Sequence, residues 1–147
     1  MAKRDDIPIP ATRTVRDTCL CFHMQRAARA LARRFDEAFR PLDLTNGQFT
    51  LMMSLSRGEA RSIGRVAAIL AMDRTTLTAA IKPLERRGLV AASVDARDKR
   101  SRLLSITPAG RALLAQALPV WRRAHAAVER LVPGGADRLR ADLRAFS

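Results

Sequence analysis

The chain has 147 residues, 48% of them hydrophobic but only 4% aromatic, and it lacks tyrosine. That length suits one domain, or one domain with an appended dimerisation layer, built on a mostly aliphatic core. With 27 basic and 14 acidic residues the formal charge is +13, which points to a polyanionic partner and carries no information about fold.

No run of 18 apolar residues occurs, and the first ten residues lack a signal-peptide core, so the expectation is a cytoplasmic protein with no membrane span. Residues 1–14, polar with prolines at 8 and 10, read as a mobile arm. From Arg16 to Arg40 the spacing of Leu20, Met24, Ala27, Leu31, Phe35 and Ala38 predicts one uninterrupted helix with arginines on its solvated side. Pro41 ends it. Thr45-Asn-Gly-Gln48 is a capping box, and Phe49, Met52, Met53 and Leu55 form the inward side of the helix it starts. Gly58 closes that helix. Ser62 caps the next, with Val66, Ile69 and Leu70 inward, and Ala71-Met72 turns the chain into Asp73.

The segment from Asp73 to Arg100 organises the rest. Asp73 is a good N-cap whose carboxylate suits the positive end of the helix dipole. Leu77, Ile81 and Leu84 give one buried stripe. Arg74, Thr78 and Lys82, with Thr75 and Ala79 beside them, form a small, polar, cationic face suited to phosphates and base edges. Pro83 should kink the helix near the carbonyl of Ala79. Gly88 supplies the left-handed residue that stops it. Val90, Ala92 and Val94 alternate, as do Leu104 and Ile106, so two short strands are expected around a tip carrying Arg97, Lys99 and Arg100. Such a tip suits a minor groove or the phosphate backbone; Asp95 and Asp98 would weaken it unless they orient the arginines. Residues 57–102 hold 11 basic and 5 acidic side chains, 11 − 5 = +6, so the charge is densest around this reading head.

Thr107-Pro108 then starts a helix striped by Leu114, Leu118, Trp121, His125, Val128 and Val132. Pro119 should bend it and Pro133-Gly-Gly135 break it. Leu139, Leu143 and Phe146 stripe a short final helix. A head this small cannot bury the terminal helices, so residues 15–42 and 107–147 are expected to form a dimer layer around a winged helix-turn-helix head at 43–106. The fold class is mainly α with a small β-wing.

Four motifs carry a resemblance to a known family: Asp73-Arg-Thr-Thr-Leu-Thr78, Leu84-Glu-Arg-Arg-Gly-Leu-Val90, Asp95-x-Arg-Asp-x-Arg100 and Leu104-x-Ile-Thr-Pro-x-Gly110. Over about Thr18 to Leu131 the chain resembles the MarR family of bacterial transcription regulators. The resemblance implies a homodimer on a palindromic operator, the second helix of the helix-turn-helix in the major groove and Arg100 of the wing in the minor groove. The expected DNA-binding residues are Arg65, Asp73, Arg74, Thr75, Thr76, Thr78, Lys82, Arg97, Asp98, Lys99 and Arg100. Thr18-Cys-Leu-Cys-Phe22 also resembles the start of the family's organic-hydroperoxide-sensing branch, where the Leu-Cys-Phe cysteine is oxidised. That branch supports its cysteine with tyrosine hydroxyls; Gln25 and Phe35 stand at the equivalent positions here.

Cys21 therefore has two readings, a redox thiol or a small hydrophobe at a helix packing surface. Cys21, His23, Met24 and Gln25 form the candidate ligand or redox site, with arginines near to balance a carboxylate. Cys19, Cys21 and the two histidines do not make a zinc site, and no cofactor is expected. No phosphate-cradling glycine loop, paired carboxylates or nucleophile elbow suggests an enzyme. The expected function is a repressor released by a small aromatic or phenolic acid. The rivals are a Cys21-based redox regulator and a non-specific architectural DNA-binding protein.

Overall fold

The computed structural model describes residues 7–147. Its elements run α1 (Ile9–Thr18), α2 (Leu20–Phe39), a 3-10 turn (Arg40–Leu42), α3 (Asn46–Ser54), β1 (Arg61–Ser62), α4 (Ile63–Leu70), α5 (Arg74–Arg86), β2 (Val90–Val94), β3 (Arg102–Ile106), α6 (Pro108–Glu129) and α7 (Ala136–Arg144). This is the expected mainly helical chain with a small antiparallel sheet.

The first helix differs from expectation. Helix α1 starts at Ile9, with Pro10 in its first turn, where the sequence reading had an arm as far as residue 14; the rest of that arm, residues 1–6, lies outside the described residues. The helix expected from Arg16 to Arg40 is broken at Cys19, whose backbone is extended at φ −70° and ψ 111°. Two local effects favour the break. Thr18 Oγ1 donates back to the Thr14 carbonyl at 2.7 Å, closing α1. The Cys19 sulfur then accepts the Phe22 N–H at 3.5 Å and caps α2.

The remaining boundaries follow their caps. Thr45 and Gln48 form both halves of the capping box of α3. Ser62, Asp73 and Thr107 cap α4, α5 and α6. Ala71 at φ 51° makes the turn between α4 and α5, and Gly88 at φ 66° ends α5. Helix α5 continues through Pro83 and α6 through Pro119. The latter ends at Glu129, so Val132 falls outside it and Gly135, at φ 85°, precedes α7. Arg140 bridges Glu129 and Asp137 at 2.9 and 2.6 Å, pinning α7 to the end of α6.

The core is built from α2, α3, α4, α5, the sheet and the first half of α6. Leu77, Ile81 and Leu84 are buried as their spacing required. Two expected inward residues are not: Met53 and Ile69 are exposed, and Leu51 and Ala67 are buried in their elements instead. An aromatic ladder, Phe35, Phe39, Phe49 and Trp121, crosses from α2 through α3 to α6 with successive centroids 6.3, 4.8 and 6.5 Å apart. The sheet has the order β1-β3-β2, with Val90 opposite Ile106, Ala92 opposite Leu104 and Arg61 also opposite Leu104. Strand β1 is an addition to the two expected strands.

The start of α6 is joined closely to the end of α5. Thr107 donates its N–H to the Leu89 carbonyl at 3.1 Å and its hydroxyl to the Gly88 carbonyl at 2.6 Å. A β-carbon on Gly110 would lie 2.2 Å from the Leu89 carbonyl oxygen and 2.8 Å from Ile106 Cγ1. Only glycine permits this approach of helix to strand.

Candidate nucleic-acid interface

Helix α5 begins where Asp73 Oδ1 accepts the Thr76 N–H at 2.8 Å and Oδ2 accepts the Thr76 hydroxyl at 2.6 Å. The Thr76 hydroxyl first, and its N–H second, hold the Asp73 carboxyl below its ordinary range. Asp73 and Thr76 thus fasten each other. Burying Leu77, Ile81 and Leu84 fixes the rotation of α5, which leaves Arg74, Thr75, Thr78 and Lys82 exposed. Thr78 donates its hydroxyl to the Arg74 carbonyl at 2.7 Å, so toward a ligand it offers oxygen lone pairs and a methyl group. Arg65 lies exposed in the first turn of α4, its backbone N–H bound to the Ser62 hydroxyl at 3.3 Å.

The wing tip is ordered by its own carboxylates. Asp95 Oδ1 accepts the Arg97 N–H at 2.9 Å, and Asp98 Oδ1 accepts the Arg100 N–H at 3.0 Å. Asp95 N–H donates to the Ser101 carbonyl and Ser101 N–H to the Asp98 carbonyl, closing the loop. These bonds turn the two acids toward the backbone and leave Arg97, Lys99 and Arg100 exposed. At the base of the wing Arg102 stands 3.7 Å from Glu85 of α5, tying wing to helix. Sequence reasoning missed that pair, although an acid near the end of α5 and a base at the start of β3 were both visible. Among the described residues, Arg65, Arg74, Lys82, Arg97, Lys99 and Arg100 form no ion pair with the protein.

The candidate ligand or redox residues are not gathered round one cavity. Cys21 is exposed in the single chain, and its sulfur accepts from Gln25 Nε2 at 3.3 Å, one helical turn on. His23 is exposed and lies 3.2 Å from the Asp17 carbonyl by its Nε2, while Met24 is half-buried. The concavity that His23 lines belongs to α2 itself, with Arg26, Ala27, Arg29, Ala30 and Arg33, and it contains neither Cys21 nor Gln25. Among the described residues no group of three or more His, Cys, Asp or Glu could hold a metal, and no helix is long and apolar enough to cross a membrane.

A helix-turn-helix followed by a cationic wing defines a winged helix-turn-helix protein. The MarR family model matches residues 42–101, which run from the end of the 3-10 turn to the wing. The transcriptional regulator MosR of M. tuberculosis, solved in complex with DNA, superposes with a TM-score of 0.81 at 36% identity, covering 88% of this chain and 93% of that one. The transcriptional activatory protein BadR of Rhodopseudomonas palustris is 36% identical over 95 residues, 63% of this chain and 54% of that protein. The organic hydroperoxide resistance transcriptional regulator of Bacillus subtilis is 27% identical over 101 residues, 69% of each. The match thus spans about half the length of BadR and nearly all of the MosR chain. The chain belongs to the MarR family, and the relatives it matches are transcriptional regulators.

Proposed function

We propose that the chain acts as a homodimeric, sequence-specific repressor of double-stranded DNA, released by a small aromatic or phenolic acid. The observation that carries DNA reading is the set of unpaired cations along α5 and the wing, beside carboxylates already bound to protein N–H groups. Arg74, Thr75 and Thr78 face bases; Lys82, Lys99 and Arg65 meet phosphates; Arg97 and Arg100 enter the minor groove. Asp73, Thr76 and Asp98 belong to the interface as braces. The likeness to MosR, which was solved with DNA, supports this assignment. Dimerisation is supported by apolar residues left open on the terminal helices, among them Leu20 at 62% exposure and Leu143 at 44%.

The test is titration of a duplex that the protein enriches from a random-sequence pool, against random competitor. A repressor keeps a preference of roughly 10³-fold or more, and an architectural protein loses it. Arg74→Ala should cost about 1–3 kcal/mol and relax one base position, whereas Lys99→Ala should weaken all duplexes alike. Equal weakening of enriched and random duplex by Arg74→Ala would remove it from base reading.

A second trigger is favoured by one observation, the exposed Cys21 thiol bonded to Gln25, together with the name of the Bacillus subtilis relative. Release by organic hydroperoxide that disappears in Cys21→Ser would replace the ligand with oxidation. Release by an aromatic acid that persists in Cys21→Ser supports the ligand. Each tenfold effect on DNA binding requires about 1.4 kcal/mol of differential affinity for the two forms.

A further inference from the structure

Gly64 is a glycine without a conformational reason. It sits in the first turn of α4 with an ordinary helical backbone, where alanine is the better residue. Its nearest neighbour is not a backbone carbonyl, as that of Gly110 is. The three atoms nearest to a β-carbon at Gly64 would all belong to one side chain, with Nη2 of Arg74 at 2.8 Å, Cζ at 3.3 Å and Nε at 3.6 Å. The guanidinium of the first residue of α5 therefore rests across the first turn of α4, in space that the missing methyl group leaves open. Among the described residues that guanidinium forms no ion pair and no hydrogen bond to a protein acceptor. Its position is set by contact alone.

We propose that Gly64 is a positioning residue for DNA reading: it seats the Arg74 guanidinium flat against α4 and so fixes the direction from which Arg74 meets a base. The inference rests on the DNA-reading function above. Arg74 has long, freely rotating bonds, and ordering them on binding costs conformational entropy. A seat that restricts the side chain beforehand reduces that cost and narrows the geometries it can offer. A methyl group at position 64 would push the guanidinium aside. The fold would be spared, because the displaced atoms are the end of a flexible, exposed side chain.

The test is a double-mutant cycle with Gly64→Ala, Arg74→Ala and the double variant. Each full-length protein is titrated with the duplex enriched by wild type and with a scrambled duplex of the same composition. Each is also passed through the same random pool to read its base preference. Gly64→Ala is expected to weaken the enriched duplex about tenfold and relax preference at the position that Arg74→Ala relaxes. Its thermal midpoint should be unchanged or higher, and in the Arg74→Ala background it should have no further effect. Wild-type affinity and preference in Gly64→Ala would overturn the inference, as would an equal loss in both backgrounds. If wild type itself enriches no sequence, DNA reading fails and the inference falls with it. Enrichment by wild type with an indifferent Gly64→Ala leaves DNA reading standing and removes only the seat.

Discussion

The head and the terminal helices are made from similar apolar residues but hold them differently. Of the largest fully buried side chains, all but Phe39 lie in residues 43–106: Leu51, Met52, Leu55, Val66, Leu77, Leu84 and Leu104. Helices α1 and α7 bury no residue at all, and Leu20 and Leu31 of α2 are exposed. The head closes its core with Phe35 and Phe39 of α2 and Leu114 and Ala117 of α6, whereas α1, α7 and the start of α2 carry apolar residues that one chain leaves uncovered. Apolar spacing identifies a face that needs covering, but the covering can come from within the chain or from outside it.

The sharpest way to break this contrast is a truncation in each region. Leu77→Ala should lower the unfolding free energy by about 2–5 kcal/mol, because a side chain with no solvent exposure leaves a cavity. Denaturant titration measures it; a loss under about 1 kcal/mol would show that the head core is not as closed as its geometry. Gly110→Ala should cost about 1–3 kcal/mol by the same titration, since the new methyl group meets a backbone carbonyl that cannot turn away. Leu20→Ala should change the stability of a dilute chain by no more than about 0.5 kcal/mol. If the outer helices are covered by a second copy, the same variant should weaken self-association in sedimentation at micromolar concentration, which Leu77→Ala would not do selectively.

The smallest effect lies in pH. The Thr76 hydroxyl and N–H hold the Asp73 carboxyl below its ordinary range. A carboxyl with a lower pKa folded than unfolded stabilises above its unfolded value, and that contribution is lost as pH falls through the folded one. The stability difference between wild type and Asp73→Ala should be level through neutral pH and shrink below about pH 4. A difference that persists undiminished into acid would assign the cap to hydrogen bonding independent of charge.

Much of α5 and the wing was legible because every local signal agreed: an aspartate cap, a stripe at 3.6-residue spacing, a glycine stop and two alternating strands. The break at Cys19 was not, because it preserves the apolar spacing on both sides and uses a sulfur as its cap. Met53 and Ile69 were misplaced because α3 and α4 are two turns long and apolar on more than one side. Which side is buried then depends on the neighbouring helices. Strand β1 has two residues and exists only by pairing with Leu103 and Leu104. The exposed cations of α5 and the wing were visible by type, but the bond between Asp98 and the Arg100 N–H and the contact of Arg74 with Gly64 are properties of the folded chain.

The seam between α5 and α6 sets how the molecule carries force. Thr107 and Gly110 hold the near end of α6 against the Gly88 and Leu89 carbonyls, so that end is tied directly to the residues that close α5. Midway along α6, Pro119 lacks the N–H that would reach the Ala115 carbonyl, and the rod loses one of its ties there. A displacement of the near half therefore passes through those contacts to the end of α5. A displacement of the far half must first cross the place where that tie is missing.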